Sequence, residues 1–206
     1  MRALGVVLFG EMKMEAHRQP AAPNVVSSII QMANPVFILI VTCAPIAALL
    51  YAINLGPLTF LNYVHVMTGG LWTGIDLFMG FVLGPILAGM EPKDRAALFK
   101  RLVPRMTFLM PVLSGVTSTA GFYLAQQLGF PLDSPRMIAA FVITGILAAQ
   151  GFGLLLPNEI RIFQELLSER PNIDRIARLG MTNAKLGGLQ GVFQIAVVFV
   201  MATLRF

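Results

Sequence analysis

The sequence predicts an all-α, polytopic membrane bundle of about five transmembrane helices. Apolar residues make up 56% of the 206 residues, charged residues only 12%, and the mean hydropathy is +0.76. In soluble domains about a quarter of the residues are charged. The apolar residues form five continuous runs, and the basic residues collect between alternate runs. A water-soluble fold could not hide so much apolar surface, so we expect a bilayer around most of the chain.

Each run is long enough to cross a hydrocarbon core of about 30 Å, which takes about 20 helical residues. In chain order, the predicted helices are Pro35–Ile53, Leu58–Ala88, Val103–Leu128, Met137–Leu156 and, approximately, Leu186–Leu204. Membrane strands are a poor alternative, because they would be shorter and would alternate apolar with polar residues. Residues 35–206 are therefore expected to form one transmembrane domain.

Residues 1–34 are predicted to be a loosely structured or amphipathic lead-in. Pro20 and Pro23 interrupt this segment, and it carries mixed charge. The apolar run after Arg2 is short and lacks a small-residue cleavage site, so we expect no cleaved signal peptide.

The basic residues predict the orientation. Thirteen of the fifteen lysines and arginines fall in three segments on one side of the predicted bundle: the lead-in, the segment after the second helix and the segment after the fourth. The other side has Arg136 and Arg205. The positive-inside rule then predicts a cytoplasmic N-terminus, an external C-terminus and a multi-pass protein of the cell's inner membrane. Membrane orientation also explains the net charge of +5, so the basic residues do not require a nucleic-acid partner.

Small residues spaced by four predict close helix contacts, because helices in lipid approach one another through small side chains. The pattern occurs at Gly187 and Gly191, at Gly145, Ala149 and Gly153, and at Ser114 and Ser118.

The second predicted helix carries a polar stripe. His65, Trp72 and Asp76 are separated by seven and eleven residues, which brings them within roughly 20° of a common line on an α-helix. His65 and Asp76 lie about 16 Å apart along it, so they are expected to face one groove without contacting each other. Gly69 and Gly80 flank the stripe and would let a helix or flat ligand approach.

Ionisable residues in a membrane helix point first to function. His65 is predicted to bind haem or copper, to relay protons, or to bond a backbone carbonyl near the external interface. Asp76 would tune such a site, move protons, or stay protonated and bond a neighbouring helix. Met67 is a soft copper ligand close to His65 in sequence, although the twelve methionines are better explained by packing.

The end of the fourth predicted helix combines Glu159 with an amphipathic continuation. We expect Glu159 to pair with Arg105 or Arg161 as a structural anchor. The spacing of Ile160, Phe163, Leu166 and Leu167 predicts an apolar face along the membrane surface. Gln190 and Gln194 enter the fifth helix, where they would line a cavity or bond adjacent helices.

Several cofactor classes find no support in the sequence. Cys43 is the single cysteine, which excludes an internal disulfide and gives no motif for covalent haem, iron–sulfur clusters or structural zinc. Motifs of soluble enzymes such as the P-loop, HExxH and GxSxG are missing. Whether the chain is an enzyme is left open.

The segment from His65 through Trp72-Thr-Gly74, followed by Phe78 and Gly84-Pro85, resembles the His…Trp-x-Gly…Pro helix of CopD-like copper-resistance membrane proteins and related cytochrome b-like bundles. The resemblance covers residues 58–128 and implies metal or haem handling in the external half of the membrane, with His65 as ligand. Members of that group usually have further intramembrane histidines, which this chain lacks. A second ligand would come from Met67, Met110, another copy or a redox partner subunit.

Three functions follow as hypotheses. The first is a CopD-like protein that binds copper or b-type haem for metal transport or membrane electron transfer, with His65, Trp72 and Asp76 forming the pocket. The second is a non-catalytic membrane subunit or scaffold that associates with a partner complex. The third is a channel for protons or a small solute, lined by Asp76, Gln150 and Gln194.

Overall fold

The computed structural model describes residues 25–205, which form six α-helices and a final 3₁₀ turn, without a strand in that range. The helices are α1 (Val25–Ala33), α2 (Pro35–Asn54), α3 (Leu58–Ala88), α4 (Pro92–Gln127), α5 (Pro135–Leu166) and α6 (Ile173–Ala202). Helices α2 to α6 are each long and apolar enough to cross a membrane. The predicted all-α membrane bundle is confirmed, and its orientation stays a prediction.

Three helices are longer than their apolar runs. Helix α4 begins at Pro92 instead of Val103, α5 ends at Leu166 instead of Leu156, and α6 begins at Ile173 instead of Leu186. The basic residues between these runs therefore lie largely on helices and not in loops. Hydropathy marks only the part of a helix that suits hydrocarbon, whereas backbone hydrogen bonding continues beyond it until a cap ends it. Asn172 caps α6 in this way, since its side chain accepts from the Arg175 N–H.

Short connections join the spanning helices and put 89–91 and 167–172 at one end of the bundle, which we call the basic end. At that end the core holds Phe99, Ile162 and Ile176. A middle cluster contains Trp72, Leu113 and Leu147, and a third cluster around Leu61 and Ala120 fills the opposite end. Helices α3, α4 and α6 form the centre of the bundle, while α2 packs on α3 and α4 from one side.

The lead-in prediction falls partly outside the described residues, because residues 1–24 lie beyond them. The remainder is helix α1, whose Ile29 and Met32 pack against the core at the basic end and whose Ala33 is buried. Asn34 then separates α1 from α2 with a positive φ of 73°. Its side chain caps α2 by accepting from the Val36 N–H.

Two of the spanning helices contain a π-helical segment, Phe78–Leu83 in α3 and Gly151–Leu155 in α5. In each case a proline follows shortly, Pro85 or Pro157. Proline has no N–H to continue the i→i−4 pattern, so the turn before it rearranges. The wider π turns are frequent at functional sites.

The small-residue predictions have mixed outcomes. In α6 the prediction is confirmed: a Cβ on Gly191 would lie 2.7 Å from the Leu77 side chain, and one on Gly187 would lie 3.3 Å from an Asp76 carboxyl oxygen. Beside Gly145 and Gly153 on α5, none of residues 25–205 would come within 4 Å of an added Cβ. Spacing alone does not say which face of a helix meets a neighbour.

Candidate functional site

A cavity of about 380 Å³ lies between α3, α4, α5 and α6. Most of its wall is apolar, with Phe99, Val103 and Leu147 among the lining residues. Two carboxyl side chains, Asp76 and Glu159, also line it. A volume of this size falls in the range of small-molecule sites, which are mostly apolar with a few placed polar groups. This cavity is therefore the candidate functional site.

Asp76 lies on α3 two residues before the π segment and is 3% exposed. Gln194 on α6 donates a hydrogen bond from Nε2 to its carboxyl oxygen Oδ2, at 2.9 Å. Gly187, also on α6, lies next to the other carboxyl oxygen, Oδ1, and has no side chain that would crowd it. The contact across α3 and α6 holds the carboxyl group at the cavity wall, about 18 Å from the basic end of α3 by helical rise.

Glu159 lies nearer the basic end, about 10 Å from the end of α5 by helical rise. Its Oε2 accepts a hydrogen bond of 2.7 Å from the Thr107 hydroxyl on α4. The predicted ion pair with Arg105 or Arg161 does not form: Arg105 bonds the carbonyl of Arg101. Glu159 is an acid without an ion pair, since the one ion pair within residues 25–205 joins Arg175 to Glu165.

Arg161 is held away from the carboxyl group by a network of side-chain amides. It donates to the Asn158 side chain at 3.2 Å, and Asn158 donates to Asn183 on α6 at 2.9 Å. The predicted amphipathic continuation of α5 is helical as far as Leu166, and its Phe163 is buried in the protein core while Ile160 is 47% exposed. That its apolar face lies along the membrane surface stays a prediction. Ile162 is also buried, since α5 packs here between α4 and α6.

Three glutamines lie close to the cavity but outside its lining. Gln150 Nε2 on α5 donates to the Leu186 carbonyl on α6 at 2.7 Å. The side-chain oxygens of Gln190 and Gln194 are buried and accept no hydrogen bond from any described residue. The glutamines thus join helices or lie in the packed interior, and the predicted channel lining of Asp76, Gln150 and Gln194 is not formed.

Trp72, the single tryptophan, is 7% exposed and lines the cavity about one helical turn from Asp76. Its predicted part in a cofactor pocket with His65 stays a prediction, because His65 does not line this cavity. Met106 and Met110 on α4 line the same cavity. Met67 lies on the outer surface of α3, where it is 44% exposed.

His65 belongs to a different part of the bundle. Its Nδ1–H donates to the Thr117 carbonyl on α4 at 2.9 Å, and a Cβ on Gly121 would lie 2.6 Å from the ring. Thr117 also bonds Thr68 through its hydroxyl, at 2.9 Å. His65 is not among the residues that line the cavity, so the predicted groove shared with Asp76 is not formed. The residues of the predicted stripe on α3 therefore contact different helices: His65 contacts α4, whereas Asp76 contacts α6.

One ring nitrogen of His65, Nε2, could still bind a metal ion. Because Nδ1 carries the proton that Thr117 accepts, Nε2 of the neutral ring has a free lone pair, as in many metal-bound histidines. Met67 is two residues away, which places it about 200° around the helix from His65. Within residues 25–205, no three His, Cys, Asp or Glu side chains group as metal ligands would.

The sequence missed the pairing of Glu159 with Thr107 and the seat for the His65 ring at Gly121. Glu159 itself was noticed, but its nearest basic residues in sequence suggested an ion pair. A signal for the histidine site was present in the spacing of Thr117 and Gly121, which lie one turn apart on α4 and face the same helix.

Comparison with models of known protein families, with curated proteins and with solved structures finds no match to this chain.

Proposed function

We propose that this multi-pass membrane protein binds a small, mainly apolar molecule with a cationic group in the cavity between α3, α4, α5 and α6. The observation that carries the proposal is Glu159, a carboxyl side chain on an apolar cavity wall that forms no ion pair with any residue from 25 to 205. A negative charge in such surroundings is costly unless a cation or a proton accompanies it. A lipophilic cation satisfies the carboxyl group and the apolar wall together.

The cavity orients the ligand. Glu159 lies at the basic end, with Thr107 fixing its carboxyl group, and Trp72 lies farther along α3. The cationic group would therefore contact Glu159 while the apolar part extends towards Trp72 and Leu147. By the positive-inside rule we place Glu159 near the cytoplasmic face of the cell's inner membrane. A carrier or receptor for lipophilic amines is the function that suits this arrangement.

Ligand binding can be followed by the fluorescence of Trp72, because the chain has a single tryptophan and this residue lines the cavity. Purified protein in detergent is titrated with 4-butyl-N,N,N-trimethylanilinium and, separately, with its uncharged isostere 1-butyl-4-tert-butylbenzene. We expect a saturable change of Trp72 fluorescence with the cation and binding at least about tenfold weaker for the isostere, which corresponds to about 1.4 kcal/mol.

Glu159→Gln should weaken cation binding by about tenfold and leave the isostere unaffected, because it removes the charge and keeps the Thr107 contact. Glu165→Gln is the matched control, since Glu165 lies on the same helix but pairs with Arg175 outside the cavity. Equal binding of cation and isostere, or equal losses in the two variants, would contradict the proposal.

A second candidate function follows from the His65 ring. With Nδ1 bonded to Thr117, Nε2 is free to hold haem iron or copper, in line with the CopD-like resemblance. The geometry favours a ligand outside the cavity, with the second ligand from another copy or a redox partner. Absorption spectra of oxidised and reduced protein, with metal analysis, test this: haem bands or copper lost in His65→Ala would support it. Protein without either, and without cation binding, would favour the non-catalytic subunit.

A further inference from the structure

A second cavity, of about 250 Å³, lies at the basic end where α4 and α6 begin. Three basic side chains line it, Arg95 from α4 and Arg178 and Lys185 from α6, together with the single acid Asp174. Two helices therefore bring a net positive charge to one concave surface. It shares no lining residue with the cavity of Glu159.

Within residues 25–205, the three basic side chains that line this second cavity form no ion pair. The ion pair between Arg175 and Glu165 is the one that residues 25–205 form, and neither partner lines the cavity. The Nε of Arg95 is buried and has no hydrogen-bond partner in that part of the chain. A buried donor without an acceptor is unfavourable, and it is most costly when the group is charged. Arg95 as a whole is only half-buried, and Arg178 and Lys185 are exposed, so an anionic group with several oxygens could reach these three basic side chains from the cavity.

The position of the cavity suggests the source of the anion. Lys185 immediately precedes the apolar run that starts at Leu186, and Asp174 lies about 16 Å farther out along α6 by helical rise. The cavity thus occupies the level of the polar layer beside the hydrocarbon core. Phospholipid headgroups occupy the same level, and basic pockets between membrane helices bind anionic ones.

We propose that Arg95, Arg178 and Lys185 bind the phosphate group of an anionic phospholipid. The guanidinium of Arg95 would present a fork of N–H donors to two phosphate oxygens, while Lys185 acts as a point charge at the membrane side. The carboxylate of Asp174 would repel a second anion, and it would accept hydrogen bonds from the hydroxyl groups of a glycerol headgroup. This site is independent of the function proposed for the larger cavity.

The test uses the full chain, delipidated in neutral detergent. Short-chain phosphatidylglycerol, short-chain phosphatidylcholine and inorganic phosphate are added separately at equal ionic strength, and thermal unfolding and native mass spectra are recorded. We expect phosphatidylglycerol to raise the melting temperature by about 3 °C or more and to remain bound in the gas phase. Phosphatidylcholine and inorganic phosphate should do neither.

Variants separate the pocket from general charge attraction. Arg95→Gln and Lys185→Gln should each weaken phosphatidylglycerol binding by about fivefold or more, and Arg95→Lys by less. Arg101→Gln and Lys100→Gln are matched controls, because both positions are exposed on α4 outside the cavity.

Four results would overturn the proposal. Equal losses in pocket and control variants would show unspecific attraction, and equal stabilisation by phosphatidylcholine would remove the role of net charge. Equal stabilisation by inorganic phosphate would assign the pocket to a soluble phosphate compound. Phosphatidylglycerol without effect on the wild-type chain would exclude the site. None of these outcomes tests cation binding at Glu159, which is measured separately by the fluorescence of Trp72.

Discussion

Gly80 on α3 and Gly188 on α6 lie against each other at the point where these two helices cross. A Cβ built on Gly188 would lie 2.8 Å from the Cα of Gly80, and a Cβ on Gly80 would overlap the backbone of Gly188. Neither helix can carry a side chain here without moving the other. Because Asp76 and Gly187 are each within about one turn of this crossing, it also sets the distance between α3 and α6 at the cavity.

Gly80→Ala is expected to destabilise the bundle by about 2 kcal/mol, because the added methyl group meets backbone that cannot yield locally. Gly74→Ala on the same helix is the control. No described residue would lie within 4 Å of a Cβ at Gly74, so this change should be neutral or stabilising by up to about 1 kcal/mol, since alanine favours helix. Unfolding in detergent measures both, and equal effects would rule out a tight crossing.

Gly121→Ala is expected to push the His65 ring off α4 and break its bond to the Thr117 carbonyl. The Nδ1 resonance of His65, followed by nitrogen NMR on histidine-labelled protein, should shift. Gly115→Ala, on the same helix with open space beside it, should leave the resonance in place. An unchanged spectrum in Gly121→Ala would show that the ring is not seated at this glycine.

Two buried glutamines should respond in opposite directions to the same substitution. Gln150→Leu removes a hydrogen bond to the Leu186 carbonyl and should destabilise the bundle by about 0.5–1 kcal/mol. Gln190→Leu removes a buried amide oxygen without a partner among residues 25–205 and should stabilise it by about 1 kcal/mol. Paired unfolding curves decide this, and destabilisation by Gln190→Leu would indicate a bound water or ligand at that amide.

The orientation can be measured with single cysteines, because Cys43 is the only native one. In a Cys43→Ser background, Leu132→Cys places a thiol between α4 and α5, and Ser168→Cys places one at the basic end. Both changes keep all fifteen basic residues. In intact bacterial cells, a membrane-impermeant maleimide should label position 132 directly and position 168 only after permeabilisation. The reverse pattern would contradict a cytoplasmic N-terminus.

The sequence by itself determined the class of fold and the approximate position of every spanning helix. This succeeded because a bilayer imposes one strong condition, that about 20 consecutive residues be apolar and helical, and each run can be tested separately against it. The same condition does not apply outside the hydrocarbon core. For that reason the apolar runs missed the starts of α4 at Pro92 and α6 at Ile173, whereas the amphipathic spacing from Ile160 to Leu167 did predict that α5 continues beyond Leu156.

Only the tertiary structure decided which residues share a site. His65, Trp72 and Asp76 lie on one line of α3, yet His65 meets α4 while Asp76 meets α6 and the cavity. Glu159 and Thr107 are 52 residues apart and came together through packing alone. Helical periodicity gives directions around one helix, but the neighbour in each direction depends on how all the helices pack, and that depends on contacts such as the one between Gly80 and Gly188.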